Sequence, residues 1–209
     1  MISQKLFLGL AAATLVVAVP RETANLPFTD DYSKGLYHWT KFGNGTWDSH
    51  QNLLEGRLGD TSTWLTITPN RDDYTISTTT SAINYPGVSN GIVFRASDGN
   101  KANFYSVGLH VEYVEIHVWK DGKAETLKRS APVIRPGLEV PISVEVAGSN
   151  IKVFLPGGGD IEPLLEVNDE TYDKGGVGFF IQGEGENFFA GIFRTISISD
   201  NHHDERMEL

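Results

Sequence analysis

One pattern constrains this chain more than any other: apolar residues two apart, in short runs closed by Gly, Pro, Asn or Asp. "TWLTITP", "DYTISTTTSAI", "NGIVFRA", "NFYSVGLH", "YVEIHVWKDG", "VPISVEVAG", "NIKVFLPG", "GVGFFIQG" and "IFRTISIS" all carry it. In an extended strand successive side chains point to opposite faces, so each run offers one apolar face. Between them no long segment repeats apolar residues at the three-and-four spacing of a helix. "KDGK" at 120–123 predicts a hairpin turn, because Asp-Gly accepts the positive φ of a primed turn, and "AGSN" at 147–150 predicts another. Roughly ten short strands with no helices between them mean an all-β sandwich or barrel. Long apolar-and-aromatic alternations suit two antiparallel sheets packed face to face. No internal repeat or change of composition breaks residues 26–200, which are expected to form a single domain.

Composition narrows the partners. Of 209 residues 40% are hydrophobic and none is cysteine, so the core must hold without disulfides. A formal charge of −10, with no basic patch, argues against nucleic acid or an anionic membrane as the main partner. The chain opens with Lys5 and an apolar run from Leu6 to Val19. That run is too short to span a bilayer and has the form of a secretory signal, with cleavage expected after Ala18. Residues 1–18 are thus read as a signal peptide and the protein as secreted. In that setting Asn44-Gly45-Thr46 is a glycosylation acceptor at a turn whose Gly suits exposure. Residues 201–209, "NHHDERMEL", read as a polar tail. The adjacent His202 and His203 lack the further ligands that a metal needs, and "RMEL" lacks the acid of a retention signal.

Several pieces, taken in order, carry a resemblance. "LPFTDDYSKGLYHWTKFGNGTW", "RDDYTI", "NGIVFRASDGNKANFYSVGL", "VEIHVWKDGKAETL", "VPISVEVAGSNIKVFL" and "DKGGVGFFIQGEGENFFAGIFRTISIS" together resemble the concanavalin A-like lectin/glucanase superfamily. The likeness is to the branch shared by laminin-G-like domains, fructan-binding modules and the 3-keto-disaccharide hydrolase domain. It implies a jelly roll with one concave sheet and carbohydrate met on that face or its rim. It also implies a place for a structural calcium, to which Asp30, Asp31 and Asp200, with Glu184 or Glu186, offer hard oxygens. No other cofactor is expected.

Retaining glucanases of this superfamily need carboxylates an even number apart on one strand, about 5–5.5 Å from each other. Glu112 and Glu115 are three apart and fall on opposite faces. Asp160 and Glu162 flank a residue in a Gly/Pro loop, and Glu184 and Glu186 sit in a glycine turn. There is no His-x-x-x-His pair. The glucanase site is absent, and the expected function is carbohydrate binding.

The candidate ligand residues are Arg95, Tyr105, Glu115, His117 and Trp119, expected on one exposed face. Trp119 would stack on a sugar ring, while Glu115 and His117 exchange hydrogen bonds with hydroxyls. An outer face of mixed residues without a ligand is the plainer alternative. His110 is placed at a hairpin edge, and Trp39, Trp47 and Trp64 are expected in packing. The rival function is a small secreted glycoside hydrolase or lyase, in which Glu115 or His117 moves the proton and Arg95 stabilises negative charge. A structural or adhesive role without ligand is a third class.

Overall fold

The computed structural model describes residues 23–50, 52–59, 62–81, 88–99, 101–110, 112–133, 137–155, 162–183 and 190–201. The expected signal, most of the tail with His202 and His203, and the loops holding Asp160, Glu184 and Glu186 lie outside them. Among the described residues every regular element is a strand.

In chain order these are β1 (Thr23–Ala24), β2 (Phe28–Asp30), β3 (Thr40–Phe42), β4 (Thr46–His50), β5 (Leu53–Arg57) and β6 (Thr63–Pro69). Next come β7 (Tyr74–Ser81), β8 (Val88–Ala96), β9 (Phe104–Leu109), β10 (Val114–Lys120), β11 (Lys123–Arg129) and β12 (Glu139–Ala147). The last are β13 (Asn150–Phe154), β14 (Leu165–Asn168), β15 (Gly176–Gly183), β16 (Ala190–Phe193) and β17 (Ile196–Asp200).

They form two sheets. The first runs β1-β6-β15-β8-β9-β10-β11, with β3 also on β6. The second runs β14-β13-β12-β7-β16-β5-β4, with β17 on β7 and β2 on β17. Apart from the parallel β1–β6 contact, neighbours are antiparallel. The expected all-β sandwich is what forms.

Alternation explains the layer between the sheets. Ile92 and Phe94, Tyr105, Val107 and Leu109, and Val114, Ile116 and Val118 project from the first sheet. They meet Tyr74 and Ile76, Ile142, Val144 and Val146, and Ile196 and Ile198 of the second, all buried in one cluster. Each buried aliphatic side chain contributes about 1.5–3 kcal/mol over leaving it exposed. Both predicted turns are present. Asp121 and Gly122 have φ of 51° and 83° between paired Lys120 and Lys123, and Gly148 has φ of 53° between Ala147 and Asn150.

One strand lies outside the alternating runs, and one expectation is corrected. Strand β11 shows no apolar alternation because it is an exposed edge, where charged residues guard the free backbone. Gly45 is buried although Asn44 is exposed. A Cβ there would lie 2.4 Å from the Arg57 carbonyl oxygen, so close backbone approach, not exposure, demands the glycine.

The first sheet holds a further surprise. Strands β8, β9 and β10 are buried on both faces apart from Lys120. On the face turned away from the second sheet, Phe42, Trp64, Val93, Phe104, Trp119 and Phe180 gather into a second apolar cluster.

Candidate functional site

Register decides which candidates share a face. His110 N–H donates to the Tyr113 carbonyl at 2.9 Å, closing a two-residue turn between β9 and β10. Such a turn pairs residue 110 with 113, so even-numbered positions of β9 lie beside odd-numbered positions of β10. Glu115 pairs with Gly108, His117 with Ser106 and Trp119 with Phe104. Tyr105 pairs with Val118 and lies in the layer between the sheets. The expected single exposed face is therefore split.

Tyr105 is fully buried. Its hydroxyl donates to Asp169 Oδ1 and accepts from the Tyr172 N–H at 3.1 Å. Burial, then Asp169, push its pKa up to about 12.

Arg95 is corrected as well. By parity it would follow Val93 onto the outer face, but a bulge intervenes: Val93 pairs with Gly178 and Ala96 with Gly176, and Arg95 takes φ of 51°. The bulge re-aims the side chain. Arg95 is 2% exposed and donates to the carbonyls of Tyr172 at 3.0 Å and Asp72 at 3.3 Å, with Asp73 at 3.6 Å. It closes one side of a cavity of about 340 Å³ bordered by Asp72, Asp73, Asp169, Glu170 and Asp173. A buried guanidinium among carboxylates and carbonyls is a structural brace there.

Glu115, His117 and Trp119 do share the outer face, yet they are 2%, 8% and 4% exposed. Their neighbours explain why. The Trp119 ring packs on Phe104 at 5.4 Å between centroids, Phe104 on Trp64 at 5.2 Å, and Trp64 on Phe42 at 5.5 Å. Trp119 Nε1–H donates to Ser106 Oγ at 2.9 Å. Trp39 and Trp47 pack with the layer between the sheets as expected, whereas Trp64 joins this outer cluster.

Next to that aromatic floor lies a charged group. Glu115 Oε1 accepts from Arg129 Nε, and Arg129 also lies 4.3 Å over the Tyr113 ring. Glu115 Oε2 lies 2.9 Å from His110 Nε2 and 3.2 Å from His117 Nε2. A buried carboxylate is costly unless paired, and this one meets Arg129 and two imidazoles. Burial pushes both histidines below their ordinary pKa against the opposing pull of Glu115.

Three polar atoms on this face stay unsatisfied. His117 Nδ1 and Trp64 Nε1 are buried without a hydrogen-bond partner, and His110 Nε2 is out of line for a hydrogen bond to Glu115 despite its distance. Arg129, His110 and Trp64 are the residues that sequence reasoning missed. The two-residue turn could have found His110, since it puts positions 110 and 113 on the same face as 115 and 117.

Among the described residues, the carboxylates offered to a calcium, Asp30, Asp31 and Asp200, do not all gather at one point. Asp30 accepts from the Tyr32 N–H at 2.7 Å and from Trp39 Nε1–H at 2.8 Å. Asp31 Oδ1 accepts from the N–H and hydroxyl of Ser33. Asp30 sits opposite Ile196 and Asp200 four residues farther along β17, roughly 13 Å away at strand rise.

No family model matches the sequence, and no curated protein does. Solved structures do match. The carbohydrate binding module CBM66 from Bacillus subtilis is 17% identical with a TM-score of 0.66, covering 79% of this chain and 98% of that one. The VIP36 exoplasmic/lumenal domain, in a form bound to Ca2+ and Man3GlcNAc, is 11% identical with a TM-score of 0.57, covering 82% and 89%. A mutant of the GH43 protein BlXynB from Bacillus licheniformis is 15% identical with a TM-score of 0.65, covering 82% of this chain but only 39% of that one. In strand order, layering and these likenesses, the chain has the jelly-roll fold of the concanavalin A-like lectins and glucanases.

Proposed function

We propose that this is a secreted carbohydrate-binding protein whose ligand face is the outer face of the first sheet, at Glu115, His117 and Trp119 with His110 and Arg129. The observation that carries the reading is the aromatic floor of this face beside the partly exposed His110 and the exposed Arg129. A sugar suits that edge, because its hydroxyls donate and accept beside His110 and Arg129 while its C–H face lies on aromatic carbon. Carbohydrate ligands of the CBM66 and VIP36 neighbours support the same class. Secretion rests on the N-terminal signal, and protein recovered from the medium is expected to begin at Val19.

The test is a glycan array with polysaccharide pull-downs on fructans, glucans, xylans and host glycans. Retention on one class, reduced in His117→Ala while the circular-dichroism spectrum is unchanged, is the expected result. Silence across all four with folded protein would sink the proposal.

A further inference from the structure

We infer that His110, Glu115 and His117 form a site for a divalent transition cation of the zinc class. Their ligand atoms all lie within 4.8 Å of one another, two of the separations being 2.9 and 3.2 Å. Tetrahedral zinc with bonds of about 2.0–2.1 Å sets its ligands roughly 3.3 Å apart. The carboxylate oxygen thus stands from each imidazole nitrogen at close to the spacing that an ion between them would impose, with the third separation within 4.8 Å.

Direction points the same way. At 2.9 Å from Glu115 Oε2, His110 Nε2 is not aligned for a hydrogen bond to it and has no other hydrogen-bond partner. Two imidazole nitrogens and one carboxylate oxygen are the donor set of an open zinc site, with a fourth position left for water or a ligand. Calcium prefers six to eight oxygens, which two nitrogens do not supply.

The hairpin builds the site locally. Its turn brings His110 beside Tyr113, their rings stacked at 4.8 Å, and so next to Glu115 and His117. Arg129 holds the second carboxylate oxygen and orients the first, as outer partners of metal ligands do.

This inference stands apart from carbohydrate binding, because either can fail while the other holds. The experiment uses the full secreted chain after chelator treatment, titrated with Zn2+ or Ca2+ by calorimetry, with Co2+ absorption reporting ligand geometry. The variants are His110→Ala, His117→Gln and the tail control His202→Ala/His203→Ala. One Zn2+ per chain is expected, bound more tightly than Ca2+, with affinity falling about tenfold or more in either site variant and unchanged in the tail control. The circular-dichroism spectrum confirms that each variant is folded. Four results would overturn the site: no saturable Zn2+ binding, tighter binding of Ca2+, Zn2+ binding that survives both site variants, or Zn2+ binding that vanishes in the tail control.

Discussion

Replacing Arg95 by Met separates a structural role from a ligand role. The thioether keeps most of the aliphatic stem, so the change removes chiefly the guanidinium. Lost with it are two charge-assisted hydrogen bonds, to the carbonyls of Tyr172 at 3.0 Å and Asp72 at 3.3 Å, each worth about 1.5–3 kcal/mol, with the longer at the low end. The carboxylates of the adjoining cavity also lose a positive neighbour, although Asp73 is half exposed and contributes little. The sum, about 3–5 kcal/mol, agrees with the cost of removing one partner from a buried pair. At roughly 2–4 °C per kcal/mol for a chain of this size, Tm should fall by roughly 6–20 °C. Urea denaturation and calorimetry measure both, and glycan binding well below the transition should match the unaltered protein. A loss of stability under about 1 kcal/mol would refute the brace, and a loss of glycan affinity with stability intact would return Arg95 to the ligand site.

Tyr105→Phe should cost about 1–3 kcal/mol in urea unfolding, because the Tyr172 N–H loses its acceptor in a part-buried place; an unchanged midpoint would contradict this. Ser106→Ala removes the acceptor of Trp119 Nε1–H and should cost about 1 kcal/mol, while Trp119→Ala, emptying a buried site, should cost about 3–5 kcal/mol. Acid should destabilise through Asp169: burial alone would raise its pKa, but hydrogen bonds from Thr171 and Tyr105 outweigh it, leaving the pKa lowered. The sign follows: its contribution is present above the unfolded carboxylate pKa near about 3.9 and is lost as pH falls through the lower folded value. A pH titration of Tm should show a weaker fall below about pH 4 in Asp169→Asn than in the unaltered protein. Asn44→Gln should remove one glycan's mass from protein secreted by a glycosylating host, and no change in mass would exclude modification there.

Strands and sandwich follow from local alternation alone. Alternation by two in "VPISVEVAG" or "YVEIHVW" is a local property of extended backbone, and it placed Ile142, Val144 and Val146, or Val114, Ile116 and Val118, in the core without any knowledge of partners. Asp-Gly at 121–122 likewise set its own turn through positive φ. Tertiary structure decided the site. Alternation groups the residues of one strand into faces but cannot say which face joins which on the next strand, and one step of register exchanges them all. Tyr105 therefore went to the core while Phe104, Ser106 and His110 joined Glu115. A bulge at Arg95, invisible in "GIVFRAS", turned a mid-strand arginine toward carbonyls and acids from segments 23 and 77 residues away. Arg129 carried no signal because β11 is an exposed edge, where burial imposes no pattern. Local backbone geometry is written in neighbouring residues, whereas the pairing of distant side chains depends on which strands the chain brings together.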